Sequence, residues 1–345
     1  MSDTPLNRHH AEGTAAQIKA DLVTGDYDPT LAKYRSAHQT AASTLPPTVE
    51  LFEQFIEKKK QDGVKLTSIA TSYRSMQADL TRYGSDLRSP EEALEFINIL
   101  RSRQAPSSSN RNLQLLKSFG RFLVKQQHLR ENIFSSIKPL KLPSTKVQNR
   151  TPFTKEEIKR LLETMRTHPA CYKYHDFTVV LFSLGLRPSE AIGLRWCHID
   201  LEKRKVTICE SMSRISDGVT VSARRQRQGT KTGNIRVLPL NDRLLSLFAG
   251  RKTASSQPDD LVFTSATGKP ICDRHYREFY WKPACKEAGV TYRPPYAARH
   301  TFISHGIEYK NWTPQQAAEM AGHSSTRMVS DVYGHMMDKP ELPDI

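Results

Sequence analysis

The stretch that most constrains this chain lies near its end, where two short helices must meet at a glycine. Thr313 caps the first helix, Pro314 takes the first helical position, and Gln316 completes a capping box. Gly322, in Ala321-Gly322-His323-Ser324-Ser325, can end that helix in a left-handed conformation, and Ser324 or Ser325 can cap the next. The second helix runs out at Gly334, within Asp331-Val332-Tyr333-Gly334-His335. It leaves Tyr333 at the end of the element, with a phenol that the backbone can aim rather than bury. Such a tyrosine is ordinarily a half-buried anchor, so a reactive role needs support from elsewhere.

The chain of 345 residues has room for two or three domains. Its formal charge of +15 and isoelectric point near 9.6 point to a polyanionic partner. No run of about eighteen apolar residues occurs, and Met1-Ser2-Asp3-Thr4-Pro5 lacks an apolar signal region, so neither membrane nor export is expected. The five cysteines have no paired spacing, which indicates neither a zinc site nor a disulfide framework. The expectation is a cytoplasmic, nucleoid-associated protein that handles nucleic acid without metal or other cofactor.

Residues 1–45 read as a polar arm, partly disordered, with a short helix over Ala15–Leu22. Residues 46–140 are helical. Leu51, Phe52, Phe55 and Ile56 form one stripe, and Ile69, Tyr73, Met76, Leu80 and Tyr83 a second that stops at Gly84. A capping box at Ser89-Pro90-Glu91-Glu92 opens a third helix. A fourth, from about Asn110 to Gln127, is expected to bury Leu115, Leu116, Phe119, Phe122 and Leu123. Its opposite face carries Lys117, Arg121 and Lys125, either a solvated face or one that tracks phosphates. Residues 141–152 continue an aperiodic, basic, proline-containing stretch and read as a linker.

A second domain, residues 153–345, opens with a capping box at Thr154 and Glu157. Gly185 closes the helix that holds Phe177, Val180, Leu181 and Leu184, and Pro188 opens another through Leu194. Strands are expected at Val206–Cys209, Val219–Ser222 and Ile235–Leu238, with a cationic turn, Arg224–Asn234, between the last two. Helices return at Asp242–Phe248, Arg274–Ala288, Tyr296–Glu308, Pro314–Ala321 and Ser325–Val332. The fold class is mainly α with a small antiparallel β-sheet.

This half supplies cations at element starts and loops. Arg187 and Glu190 can meet on one helical face, either as a surface ion pair or as a phosphate fork oriented by a carboxylate. Arg299 and Tyr296 share a face in the same way. Lys231 lies in the turn, where a lysine is ordinarily solvated, and its neighbours give no reason to prefer it over Arg225 or Arg227. His323 follows a helix-ending glycine, where a buried histidine would be equally expected. Each feature is weak alone, but their conjunction is not.

Arg187-Pro188-Ser189-Glu190, Lys231-Thr232-Gly233, Tyr296-Ala297-Ala298-Arg299-His300-Thr301, Gly322-His323-Ser324-Ser325 and Tyr333-Gly334-His335 resemble, in order and spacing, the boxes of the tyrosine recombinase (phage integrase) family. The similarity spans roughly residues 46–345, and Ala15–Tyr34 resembles the end of an arm-type DNA-binding region. It implies a helical core-binding domain plus an α+β catalytic domain, forming a clamp around duplex DNA. Tyr333 would attack the scissile phosphate, giving a 3′-phosphotyrosyl link and a free 5′-hydroxyl. Arg187 and Arg299 would stabilise the pentacoordinate phosphorus, and Lys231 would protonate the departing oxygen. His323 would bond the phosphate, and Glu190 would orient the first arginine's surroundings. Lys117, Arg121, Lys125, Arg225 and Arg227 would contact DNA. Neither metal nor ATP would be needed. Four protomers would assemble on two duplexes, with accessory bending or directionality proteins as further partners.

One position departs from the resemblance: the second box most often begins with histidine, and here stands Tyr296. A phenol with an ordinary pKa near 10 can donate a hydrogen bond to phosphate but is a poor base at neutral pH. Cyanobacterial excisases look similar in this respect. His300 lies about 100° round the helix and is not expected to take over. The rival readings are a type IB-like topoisomerase and a DNA-binding relative without catalysis.

Overall fold

The computed structural model describes residues 5–34, 45–142, 151–230 and 233–333, with backbone alone at 5–13, 32, 223, 328 and 332. The chain divides into two compact units: residues up to Lys65 with Ser72–Lys141, and Leu66–Thr71 with the residues from Leu142 onward. Among the described residues no helix is long and apolar enough to cross a membrane.

The first unit is helical. Helix α1 (Pro5–Thr24) is one element of 20 residues, so the arm is far more regular than the short Ala15–Leu22 helix expected. Lys33 reaches back to Asp21 at 2.9 Å, and Tyr27 and Tyr34 stack 6.1 Å apart. Expectations for residues 1–4 and 35–44 lie outside the described residues. Helix α2 (Thr48–Gln61) buries the predicted stripe of Leu51, Phe52, Phe55 and Ile56. Helix α3 (Arg74–Tyr83), preceded by a π-helical turn at Ile69–Tyr73, stops at Gly84 as read. Helix α4 (Pro90–Arg103) has both bonds of its capping box, Glu92 N–H to Ser89 Oγ and Ser89 N–H to Glu92 Oε2.

Helix α5 (Pro106–Lys125) begins four residues earlier than expected, because Pro106 occupies its first turn, where the missing N–H costs nothing. It buries Leu113, Leu116, Phe119 and Leu123, whereas Leu115 and Phe122 are only half-buried. Phe119 packs 4.9 Å from Phe52 and 5.5 Å from Phe55, and each such ring contributes roughly 1.5–3 kcal/mol through burial. Beyond α5, Asn110 pins Leu140 through paired 2.8 Å bonds, and most of the expected linker (143–150) lies outside the described residues.

The second unit begins with α6 (Lys155–Thr167), whose Thr154–Glu157 capping box is formed, and α7 (His175–Leu184), apolar on nearly every side and therefore central. Helix α8 (Pro188–Gly193) follows. The β structure is two sheets rather than one. Strands β1 (Ile199–Asp200), β2 (Lys205–Ile208) and β5 (Arg236–Pro239) form the first, and β3 (Glu210–Ser216) pairs with β4 (Val221–Gly229) in the second. Residues Arg224–Gly229, expected in a turn, are therefore strand. The polar Glu210–Ser216 offers no apolar alternation, which is why sequence reading passed over it. Arg214 and Arg225 face each other across this pair, a repulsive juxtaposition that Asp273 relieves by bridging both, at 2.6 and 2.7 Å.

Helix α9 (Asp242–Arg251) and α10 (Asp273–Tyr276) follow, the latter running through a π-helical turn at Arg277–Trp281 into α11 (Lys282–Glu287). The core gathers Phe153, Phe177, Tyr276, Trp281 and Phe263, with Phe153 edge-on to Trp281 at 5.8 Å. A smaller cluster of Ile303, Ile307, Ala317, Ala321, Val329 and Tyr333 joins α12 (Ala297–Lys310), α13 (Pro314–Ala321) and α14 (Arg327–Tyr333). Helix α14 starts later than read. Thr326, whose carbonyl accepts from Ser330 N–H, precedes it in place of Ser324 or Ser325. Its last residue is not held out for use: Tyr333 is 4% exposed, packed by this cluster, which corrects the expectation of an aimed, unburied phenol.

Candidate active site

Local backbone rules bring Arg187 to its position. Gly185 ends α7 at φ 59°, and a Cβ there would lie 2.3 Å from the Phe302 ring, so only glycine admits the turn. The chain then buries Leu186 and reaches Arg187 just before the Pro188 start of α8. Glu190, on the first turn of that helix, accepts from Arg187 N–H at 3.0 Å and from its Nη1 at 2.6 Å. The pair is no surface bridge, since Glu190 is 1% exposed.

A third residue completes it: Arg236 Nη2 donates to Glu190 Oε2 at 2.7 Å. Burial alone would raise the Glu190 pKa, but the hydrogen bond and charge of Arg236, then Arg187, outweigh it and hold the carboxyl below its ordinary value. Sequence reading missed Arg236. The strand alternates, but with Ile235 68% and Val237 56% exposed while Arg236 and Leu238 face inward. Apolar residues at 235 and 237 invite the opposite assignment. The buried, otherwise excess carboxylate of Glu190 is what could have called for a second cation.

Arg299, on the first turn of α12, is 1% exposed. Its Nη1 donates to Gly185 O at 2.9 Å and its Nη2 to Ala321 O, while Arg187 Nη2 approaches Gly322 O at 3.5 Å. Two guanidinium groups thus sit on consecutive carbonyls at the end of α13. Those carbonyls lack helical partners and carry the negative end of the helix dipole, which offsets the cost of placing two cations side by side. Burial, then the charge of Arg187, lowers the Arg299 pKa to about 10, so it stays protonated at neutral pH. Its Nε has no partner among the described residues.

Gly322 terminates α13 at φ 67°, and a Cβ there would stand 2.8 Å from Arg236 Nη1. His323 follows, with its N–H on Ala318 O at 2.8 Å. Burial first, then Arg299, Arg187, His300 and Arg236, pushes its imidazole down to about 4, so it is neutral at pH 7. Its Nδ1 is buried without a partner among the described residues.

The last helix brings Tyr333 Oη to His300 Nδ1 at 2.5 Å. His300 was not expected simply to take over from a second-box histidine because of its rotation on the helix, and it is this imidazole that meets the phenol. The same rotation that turns it from the guanidinium side turns it toward α14. Tyr296, 40% exposed, sits edge-on to the His300 ring at 5.3 Å, and the buried Arg299 is not stacked on it at the surface.

The other candidates divide. Lys231 lies outside the described residues; beside it, Thr230 Oγ1 donates to Asn234 O at 2.9 Å. Arg225 is withdrawn from any DNA face: its side chain is 5% exposed, donating to Met212 O and paired with Asp273. Arg227 remains exposed, with Nη2 on Asp259 O at 3.0 Å. In the first unit Lys117 is spent on Ser135 O at 3.0 Å, whereas Arg121 and Lys125 are exposed. Among the described residues no three His, Cys, Asp or Glu side chains gather as around a metal ion.

The class that this fold and its relatives define is that of tyrosine-type site-specific recombinases, enzymes that break and rejoin DNA. Residues 152–339 match the phage integrase family, and the chain belongs to it. It is 24% identical over 309 residues to a XerC-like tyrosine recombinase of Caldanaerobacter subterraneus subsp. tengcongensis, covering 84% of this chain and 73% of that one. It is also 24% identical to tyrosine recombinase XerC of Yersinia pestis, over 86% of this chain and 92% of that one. Its fold is similar to the Tn1549 transposon integrase in complex with transposon right end DNA (TM-score 0.69, 20% identity, 84% and 95% covered). The same holds for a lambda integrase tetramer bound to a Holliday junction (TM-score 0.62, 14% identity, 92% and 88% covered).

Proposed function

We propose that the chain cuts and reseals duplex DNA at specific sites through a covalent bond between Tyr333 and a 3′-phosphate. The observation that carries this reading is the seating of Arg187 and Arg299 on the consecutive carbonyls of Ala321 and Gly322, beside His323. A phosphate entering there meets two fixed positive charges and a neutral imidazole able to donate. Charge that develops on the non-bridging oxygens in the transition state is stabilised by groups already in place. Arg236 and Glu190 set the orientation of Arg187. Lys231 is assigned the protonation of the departing 5′-oxygen, and Tyr296 a hydrogen bond to the phosphate in the place where the family more often has histidine.

The helical unit before residue 141 is the proposed core-binding part, with Arg121 and Lys125 on phosphates, and the unit after it the catalytic part. Assembly of four protomers on DNA is proposed by analogy with the lambda integrase tetramer on a Holliday junction. Accessory bending proteins and a cytoplasmic setting belong to the same reading.

The test is denaturing electrophoresis after incubation with nicked target DNA. A covalent adduct that disappears in Tyr333→Phe supports the reading; an adduct that survives this change overturns it.

A further inference from the structure

Among the groups around Tyr333, one imidazole is placed to do chemistry that the roles assigned above leave open. We propose that His300 accepts the Tyr333 phenolic proton as the tyrosine attacks phosphorus, and returns it on rejoining; this rests on the recombinase reading above. Its Nδ1 stands 2.5 Å from Tyr333 Oη, within direct transfer distance. The side chain ahead of it in the same box, Tyr296, has a phenol, which does not serve as a base near neutral pH.

His300 is also next in sequence to Arg299, whose guanidinium is clamped to Gly185 O and Ala321 O. One stretch of helix backbone therefore fixes both the phosphate anchor and the proton acceptor. Among the described residues, the titratable groups set against the imidazole are Tyr296 on its own helix, His323 from the turn after α13, and Tyr333 from α14. With His323 neutral, the positive charge that His300 gains in the step is not added beside a second imidazolium.

The step balances as follows. Neutral His300, with its hydrogen on Nε2, takes the phenolic proton at Nδ1 while Oη bonds to phosphorus. The bond from phosphorus to the 5′-oxygen breaks, and that oxygen leaves with the electron pair and takes a proton from the general acid assigned to Lys231. On rejoining, the 5′-hydroxyl returns its proton to the group assigned to Lys231 as its oxygen bonds to phosphorus, the phenolate departs, and His300 reprotonates it.

Adduct formation on nicked duplex is measured from pH 5.5 to 8.5 for the parent, His300→Asn and Tyr333→Phe, with a gel shift to confirm binding. Asparagine places an oxygen near the position of Nδ1 that accepts a hydrogen bond but not a proton. The expected result is unchanged binding, cleavage slowed by about 10²-fold or more, and loss of the fall in rate at acid pH. Parental rate in His300→Asn, or a slow rate with the parental pH profile, overturns the proposal. A 5′-bridging sulfur, which departs without a proton, should leave His300→Asn slow, and restoration of its rate also overturns it. If His300→Asn does not fold, the parent on the sulfur substrate decides: an acid limb that persists supports the base, and its disappearance rejects it. An adduct that survives in Tyr333→Phe overturns the recombinase reading instead.

Discussion

Arg299 and Tyr333 are both buried, yet they are held differently. The arginine sits at the meeting of three elements: its donors end on Gly185 after α7 and Ala321 at the end of α13, and its backbone belongs to α12. Its neighbour Arg187 is locked to Glu190, which is locked in turn to Arg236 of β5. The tyrosine is the last described residue of α14 and packs on a small cluster to which Val329 of the same helix also contributes. The floor proposed to hold the phosphate is thus tied into several elements of the fold, while the proposed nucleophile is held at the last described position of α14. Changes on the two sides should separate accordingly.

The largest effect is expected at Tyr333, the proposed nucleophile. Tyr333→Phe should remove covalent adduct formation altogether while lowering the unfolding free energy in urea by only about 1 kcal/mol, the order of a hydrogen bond's net worth. A loss of stability as large as that of a change in the floor would break the contrast.

Glu190→Ala should act in the opposite sense. It leaves Arg236, nearly buried, and Arg187 without their shared carboxylate, and removing one partner of a buried ion pair costs about 3–5 kcal/mol. Urea unfolding checks this, and a change below about 0.5 kcal/mol would show that water or a counter-ion replaces the carboxylate. Gly322→Ala should be milder, about 1–3 kcal/mol, from a left-handed backbone and a Cβ pressed on Arg236 Nη1. Cleavage should fall with it, because Arg187 and Arg299 both rest on that turn. Full activity in a destabilised Gly322→Ala would mean that the guanidinium seats tolerate displacement.

The two sides were not equally legible in the sequence. Helix boundaries with chemical punctuation were read well: Ser89–Glu92, Thr154–Glu157 and Thr313–Gln316 are all formed capping boxes, and Gly185 and Gly322 both end helices. Arg187, Glu190 and Arg299 were singled out at helix starts by local spacing, their roles coming from the family resemblance, and the fold brings the three together. What was missed depends on tertiary pairing. Strand β3 has no apolar alternation and exists because β4 and Asp273 complete it. Arg225 looked like a free cation in a turn, and only the fold reveals the carboxylate beside it. Arg236 faces inward against its apolar neighbours because Glu190 lies there. His300 was set aside on helical phase, an argument confined to one helix that could not anticipate what α14 brings to the other face.

The smallest expected effect concerns His323, which lies between the two sides, and its sign follows from the direction of its shift. Its folded pKa is lowered to about 4 by burial and by the charges of Arg299 and Arg187, against an ordinary value near 6.5. As pH falls through 6.5 the unfolded chain gains a proton that the folded chain declines, so stability is lost down to about pH 4, where both forms are protonated. His323→Gln should therefore flatten the decline in urea midpoint between pH 7 and pH 5 relative to the parent. The buried His198 and half-buried His305 contribute equally to both proteins and drop out of the difference. Because the imidazole is only partly buried, water screens much of the charge effect, and the flattening should be modest. An equal slope in the two proteins would mean that His323 does not feel the guanidinium pair. The two arginines would then be less tightly coupled to the turn that precedes α14 than their consecutive carbonyl seats imply.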